Sequence, residues 1–156
     1  MQVRLVLHRR AFFALGAALV SLSAAFAVAG DLSDFKNPLD DSPIEFKLQP
    51  GEVETEAVKK FKATGVNDYR GNADAIADGK RLYLVNCIIC HGADGTGKMG
   101  PTLVGKELVY KQALTDPGMF SIIYDGARGA MQPFSIRGMK QDEMLKIVAY
   151  VRTLDK

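Results

Sequence analysis

The sequence predicts an all-α fold whose helices pack round one covalently attached group, preceded by an N-terminal extension. Three observations carry this. Apolar residues recur at helical spacing before residue 86 and again from Met144 to Leu154. Between these stretches lies Cys87-Ile88-Ile89-Cys90-His91, with no strand-helix alternation around it. The chain has 156 residues and two cysteines, enough for one modest domain whose core is filled partly by the attached group.

Two thiols three positions apart with an imidazole directly after the second form the attachment signature of a c-type haem. Each thiol adds across one vinyl group, and the following histidine then lies under the iron as a proximal ligand. Cys87 and Cys90 are therefore the expected covalent sites for one haem c, and His91 is the expected axial ligand. A thioredoxin-like disulfide would open a helix after a strand. A structural zinc site would need four protein ligands, and the only cysteines and histidines are Cys87, Cys90, His8 and His91.

Residues 1 to 29 read as a secretory signal peptide. Arg4, Arg9 and Arg10 precede an uncharged stretch from Ala11 to Ala29 that ends in Ala27-Val28-Ala29, a small-x-small cleavage site. The stretch is almost long enough for an uncleaved anchor, which is the competing reading. Cleavage near Ala29 removes three arginines and no acid, leaving 17 basic against 18 acidic side chains, a formal charge of −1. The basic character of the whole chain thus gives no reason to expect nucleic acid as a partner. His8 leaves with the signal, so the second axial ligand must be a methionine, a lysine, an external ligand or none. Met99, Met119, Met131, Met139 and Met144 are the methionine candidates.

Residues 30 to 72 form the expected extension. Residues 30 to 60 hold eight acids against four lysines and are broken by Pro38, Pro43 and Pro50. Phe35, Ile44, Phe46 and Leu48 are too apolar for a free tail, so the segment is expected to wrap over the haem domain. A short helix is expected from Glu54 to Lys62, with Val58 and Phe61 on one face.

The haem domain is expected over residues 73 to 156. Its first helix runs from Asp74 to Asn86, starting at Asn72 or Ala73, with Ile76, Gly79, Leu82, Tyr83 and Val85 as buried positions. Gly79 costs roughly 1 kcal/mol of helix propensity relative to Ala, so a close helix crossing explains it better. The expected partner is a helix from Glu143 to Leu154 capped by Asp142, with Tyr150 facing the glycine. Four glycines between Gly92 and Gly100 let the backbone pass close to a flat cofactor. Another helix is expected with Asp116 as cap and Pro117 in its first turn, ending at Gly126. Met131 follows on the loop Gly126-Ala127-Arg128-Gly129-Ala130-Met131. Met119, Met139 and Met144 lie in or beside helices and Met99 lies on the proximal side, so Met131 is the expected distal ligand.

A terminal helix pair crossing at a glycine and an aromatic residue, together with Cys87 to His91, resembles the class I cytochromes c. In that family the Gly-Pro-x-Leu step, here Gly100-Pro101-Thr102-Leu103, places the proline carbonyl on the free nitrogen of the axial imidazole. Pro101 is thus implied as the residue that orients His91. Export unfolded, with haem joined outside the cytoplasm, is also implied by the resemblance.

A narrower resemblance rests on Ala57-Val58-Lys59-Lys60-Phe61 with Thr64-Gly65, on residues 115 to 123, on residues 126 to 131, and on Asp142-Glu143-Met144-Leu145-Lys146. These are similar to the cytochromes c-L, periplasmic electron acceptors of quinone-dependent methanol dehydrogenases, including lanthanide-type enzymes. The resemblance implies a monomeric electron carrier, not an enzyme. It would take electrons from a PQQ-dependent alcohol dehydrogenase in transient complexes and pass them to a small cytochrome c or an oxidase. Two axial protein ligands also close the iron to substrate, which suits outer-sphere transfer. Arg128 and Arg137 bracket the ligand loop and could pair with a haem propionate or a partner carboxylate. The competing readings are a haem subunit of another respiratory complex, and a haem enzyme or gas sensor with an open distal site.

Overall fold

The computed structural model describes residues 35–155. The expected signal peptide, including His8, lies outside the described residues. Helices α1 (Glu56–Thr64), α2 (Ala73–Asn86), α3 (Ile88–His91), α4 (Asp116–Asp125) and α5 (Gln141–Leu154) follow in order, with 3-10 turns at Lys111–Leu114 and Ser135–Arg137. Among the described residues, β pairing is confined to one isolated bridge between Lys36 and Pro43. The all-α expectation holds.

Helices α2 and α5 make the central crossing. A Cβ at Gly79 would run into the backbone carbonyl of Lys146 and would lie 3.1 Å from Tyr150 Cβ. The glycine therefore sets how closely the two axes approach, as its helix-weakening position predicted. Next to the crossing, the rings of Tyr83 and Tyr150 meet edge to face at 5.3 Å. Ala75 and Tyr83 are buried and Ile76 and Leu82 partly so, whereas Val85, expected inside, is 73% exposed. Val85 follows the buried Tyr83 by two positions, about 200° round the helix, which turns it to solvent.

Two expected caps are corrected. Helix α5 begins at Gln141, and its first turn is closed by the Glu143 carboxylate accepting the Lys140 backbone N–H at 2.9 Å. Asp142 is already inside the helix and turns sideways: it accepts hydrogen bonds from Thr55 Oγ1 and the Tyr69 hydroxyl and pairs with Lys146. At α4 the cap is Thr115, whose hydroxyl accepts the Gly118 N–H at 3.1 Å. Asp116 instead sits between two guanidinium groups, Arg70 and Arg152. In both cases an acid able to cap is held by cations or hydroxyls that tertiary packing brings beside it.

Helix α1 starts two residues later than expected, capped by Thr55, and closes at Gly65 in the left-handed region with φ +70°. Its Val58 and Phe61 are buried on one face. Phe61 packs against Phe35 and Phe120, each with ring centroids 5.2 Å away. Phe46 and Tyr124 extend this aromatic cluster. Residues 35 to 49 lie along α4 in this way, tied also by the Lys47 N–H donating to the Tyr124 hydroxyl at 2.7 Å and by a hydrogen bond between Asn37 and Asp125. Leu48, grouped with these apolar residues in the sequence, is 47% exposed.

Candidate functional site

Cys87 ends α2, its backbone N–H donating to the Tyr83 carbonyl at 2.8 Å, and α3 then carries Cys90 and His91 in a single turn. The glycine-rich segment folds straight back over that turn. Gly97 N–H donates to the His91 carbonyl at 2.9 Å, and the N–H groups of Lys98 and Gly100 both reach the Cys90 carbonyl, at 3.1 and 2.9 Å. A Cβ at Gly100 would stand 3.0 Å from His91 Cε1 and 3.3 Å from Cys90 Cβ, so glycine lets this loop lie against the imidazole without crowding it. The Tyr83 hydroxyl braces the same loop by donating to the Gly92 carbonyl at 2.6 Å.

His91 is buried, and its Nδ1 lies 2.9 Å from the carbonyl oxygen of Pro101. A carbonyl can only accept, so Nδ1 is the donor, and in the neutral ring Nε2 is the nitrogen left with a lone pair. His91 and Cys87 line a cavity of about 350 Å³. Leu103, Leu108, Ile122, Ile123, Ile147 and Val151 supply apolar walls, and Pro101, Tyr83 and Tyr110 also line it. From the segment after α4 come Ala127, Arg128 and Met131.

Most of the residues singled out in the sequence thus meet at one place: Cys87, His91, Pro101, Arg128 and Met131. Cys90 is partly buried and does not line the cavity. Of the other methionines, Met99 is 80% exposed, while Met139 and Met144 are buried away from the cavity. Met119, assigned to packing, is buried on α4 but also lines the cavity. Arg137 is exposed and lies over the Phe134 ring, 4.8 Å from its centroid. Sequence reading missed the tyrosines: Tyr83 was placed only in the core, and Tyr110 was not singled out, because nothing in its local pattern says what its hydroxyl meets.

Burial, and then the neighbouring Cys90, push the Cys87 thiol up to about 12. A redox-active Cys-x-x-Cys pair works through a thiol of lowered pKa, so the site is poorly suited to disulfide exchange. Among the described residues no cluster of three or more His, Cys, Asp or Glu side chains could hold a metal ion. What the lining does suit is a flat apolar macrocycle: apolar walls, a thiol beside an imidazole with a free Nε2, a glycine loop pressed on that imidazole, and a thioether within the same cavity.

Residues 74–151 match the family described as cytochrome c oxidase, cbb3-type, subunit III. A cytochrome c-L of Methylorubrum extorquens is 38% identical over 121 residues, 77% of this chain and 61% of that protein. The crystal structure of cytochrome cL from Methylophaga aminisulfidivorans superposes with a TM-score of 0.72 at 35% identity, covering 76% of this chain and 79% of that one. The chain belongs to the cytochrome c-L family. Cytochrome cL from Hyphomicrobium denitrificans matches equally well, with a TM-score of 0.72 at 36% identity over 78% of this chain and 73% of that one. A 1-butanol dehydrogenase (cytochrome c) of Thauera butanivorans is 31% identical over 90 residues, 57% of this chain and 12% of that protein. The chain spans about three fifths of the length of the Methylorubrum cytochrome c-L. Membership brings with it a covalently bound c-type haem as the prosthetic group.

Proposed function

We propose that this protein is a periplasmic monohaem electron carrier. In this reading Cys87 and Cys90 hold the haem as thioethers, His91 binds its iron through Nε2, and Met131 supplies the second axial ligand. The observation that carries it is the cavity itself, in which His91, oriented by the Pro101 carbonyl, and the Met131 loop share apolar walls. Residues 1 to 29 would be removed on export, residues 30 to 72 would form the extension, and residues 73 to 156 the haem domain.

The haem supplies a one-electron couple; the chain controls its setting. Pro101 holds the His91 imidazole in one tautomer and orientation and raises its basicity. The Met131 thioether would favour the reduced state of the iron and leave no place for substrate. Apolar walls from Leu103, Leu108, Ile123 and Val151 keep water from the centre and so reduce the solvent reorganisation that accompanies electron transfer. Arg128, at the cavity and exposed, is positioned to meet a haem propionate or a partner carboxylate.

The donor is a PQQ-dependent alcohol dehydrogenase acting on methanol, and the acceptor a small cytochrome c or an oxidase. The names of the relatives, two cytochromes cL, a cytochrome c-L and an alcohol dehydrogenase linked to cytochrome c, support this setting. Stopped-flow mixing of the oxidised holoprotein with a reduced PQQ-dependent methanol dehydrogenase tests it. Haem reduction within the turnover time of the dehydrogenase is expected; reduction no faster than with an unrelated dehydrogenase would overturn the assignment of the donor. The match to a cbb3-type subunit favours, as a second reading, a haem subunit of a respiratory complex. That reading expects residues 1 to 29 to remain as an anchor, which the mass of the mature N-terminus decides.

A further inference from the structure

The loop that carries Met131 has few hydrogen bonds to the rest of the molecule. Residues 128 to 130 are exposed. Within the loop, Ala127 N–H donates to the Met131 carbonyl at 2.9 Å, closing it into a turn, and Gln132 N–H reaches Ala130 at 3.0 Å. Both bonds are internal to the turn, which otherwise holds to the core through the partly buried Met131 side chain. Among the described residues, one hydrogen bond ties residues 127 to 131 to a distant part of the chain: the Arg128 backbone N–H donates to the Tyr110 hydroxyl at 3.0 Å.

Tyr110 is itself firmly placed. Its carbonyl accepts the Ala113 N–H at 3.0 Å, starting the 3-10 turn Lys111–Leu114. That turn lies hard against α4, since a Cβ at Gly118 would run into the Gln112 backbone. Arg152 of α5 fastens the turn from the other side, donating to the Ala113 carbonyl at 2.8 Å and to Asp116 at 2.8 Å. A chain of contacts therefore runs from α5 through Arg152, the 3-10 turn and the Tyr110 hydroxyl to the backbone three residues before Met131. The Tyr110 ring lines the same cavity as Met131.

We propose that Tyr110 is a positioning residue for the distal ligand: by accepting the Arg128 N–H it pins the Met131 loop against the haem. This rests on the assignment of Met131 to the iron. A ligand presented on an exposed loop leaves the iron more readily when the loop's one external hydrogen bond is cut, and the vacated site then takes an added ligand. The Tyr110→Phe variant keeps the ring and removes only the acceptor.

The test is imidazole titration of the oxidised holoprotein, followed through the far-red charge-transfer band of thioether-ligated ferric haem. Tyr110→Phe is expected to bind imidazole about three- to tenfold more tightly, the factor expected for one lost hydrogen bond. Amide exchange at Arg128 should quicken in parallel. Tyr69→Phe, which loses a hydroxyl contact to Asp142 and none to this loop, should lower stability and leave imidazole affinity unchanged. An intact far-red band with unaltered imidazole affinity in Tyr110→Phe would overturn this inference alone. Absence of the band from the unmodified protein would overturn the Met131 assignment and this inference with it. A similar gain in affinity in Tyr69→Phe would mean general loosening and also count against the role of Tyr110.

Discussion

The Nδ1 of His91 lies 2.9 Å from the carbonyl oxygen of Pro101, and Gly100 lies against the same ring. The two neighbours do different work: the carbonyl fixes the tautomer, and the missing side chain leaves room for the loop that brings the carbonyl there. Gly100→Ala would place a Cβ 3.2 Å from His91 Nδ1, so the loop or the ring must give slightly, and the hydrogen bond is expected to lengthen. A loss of about 1–2 kcal/mol in stability is expected from the crowding. A lower reduction potential should accompany it, because the imidazole is no longer held in place. Denaturant titration and redox titration of the holoprotein check the two effects.

Two methionines, Met131 and Met119, line the cavity, and substitution separates them. Met131→Ala should retain covalent haem, lose the far-red band, lower the potential and allow rapid carbon monoxide binding by the reduced protein. Met119→Leu should keep all four properties of the unmodified protein, since leucine preserves the packing volume. Met139→Ala, in the core but away from the cavity, should cost about 2–3 kcal/mol of stability with the band intact. Loss of the band in Met119→Leu and not in Met131→Ala would reassign the ligand to α4.

Cys87→Ala should cripple covalent attachment. The expected outcome is a protein from which acidified organic solvent extracts the pigment, whereas haem stays with the unmodified chain through denaturation.

Gly79→Ala tests the helix crossing. Its Cβ would meet the Lys146 backbone, which cannot swing aside as a side chain can. Helices α2 and α5 must separate, at an expected cost of about 3 kcal/mol, the upper part of the usual overpacking range. A fall in the denaturation midpoint measures it, and no change would mean that the helices are not in contact at Gly79.

Asp116 is buried between Arg70 and Arg152. Burial alone would raise its carboxyl pKa, but hydrogen bonds from Arg70 and Arg152 outweigh this and hold it below the ordinary value. A carboxylate depressed in the folded state contributes stability that is present in full above its unfolded pKa of about 3.9, and that is lost as pH falls through the folded value. The unmodified protein should therefore lose stability as pH falls below about 4. Asp116→Asn should be less stable at neutral pH by about 2–3 kcal/mol, below the usual 3–5 for a buried pair because Arg70 is half exposed. It should also show a shallower loss on acidification, which denaturant titrations at neutral and acid pH would measure.

Much of the fold was legible along the chain because it depends on local spacing. The Cys87 to His91 motif, the apolar stripe of α5, the pairing of Val58 with Phe61, and the Gly126 stop are all set within one or two turns of helix. Gly79 was legible for a related reason: an expense within a helix points to something pressed against it. The roles of Asp116 and Asp142 were not legible. Both sit where a cap is common, but their partners Arg70, Arg152, Thr55 and Tyr69 are 36 to 87 residues away in the chain. Only packing decides that such groups meet.

By itself, then, the sequence determined the attachment chemistry, the helix order and the loop on which Met131 is carried, since covalent spacing and helical periodicity are properties of neighbours in the chain. Tertiary structure decided what cannot be counted along it. Met119 reaches the same cavity as Met131, and the Tyr110 hydroxyl takes the N–H of Arg128, because the packing of α4 and the turn against it bring distant surfaces within contact range.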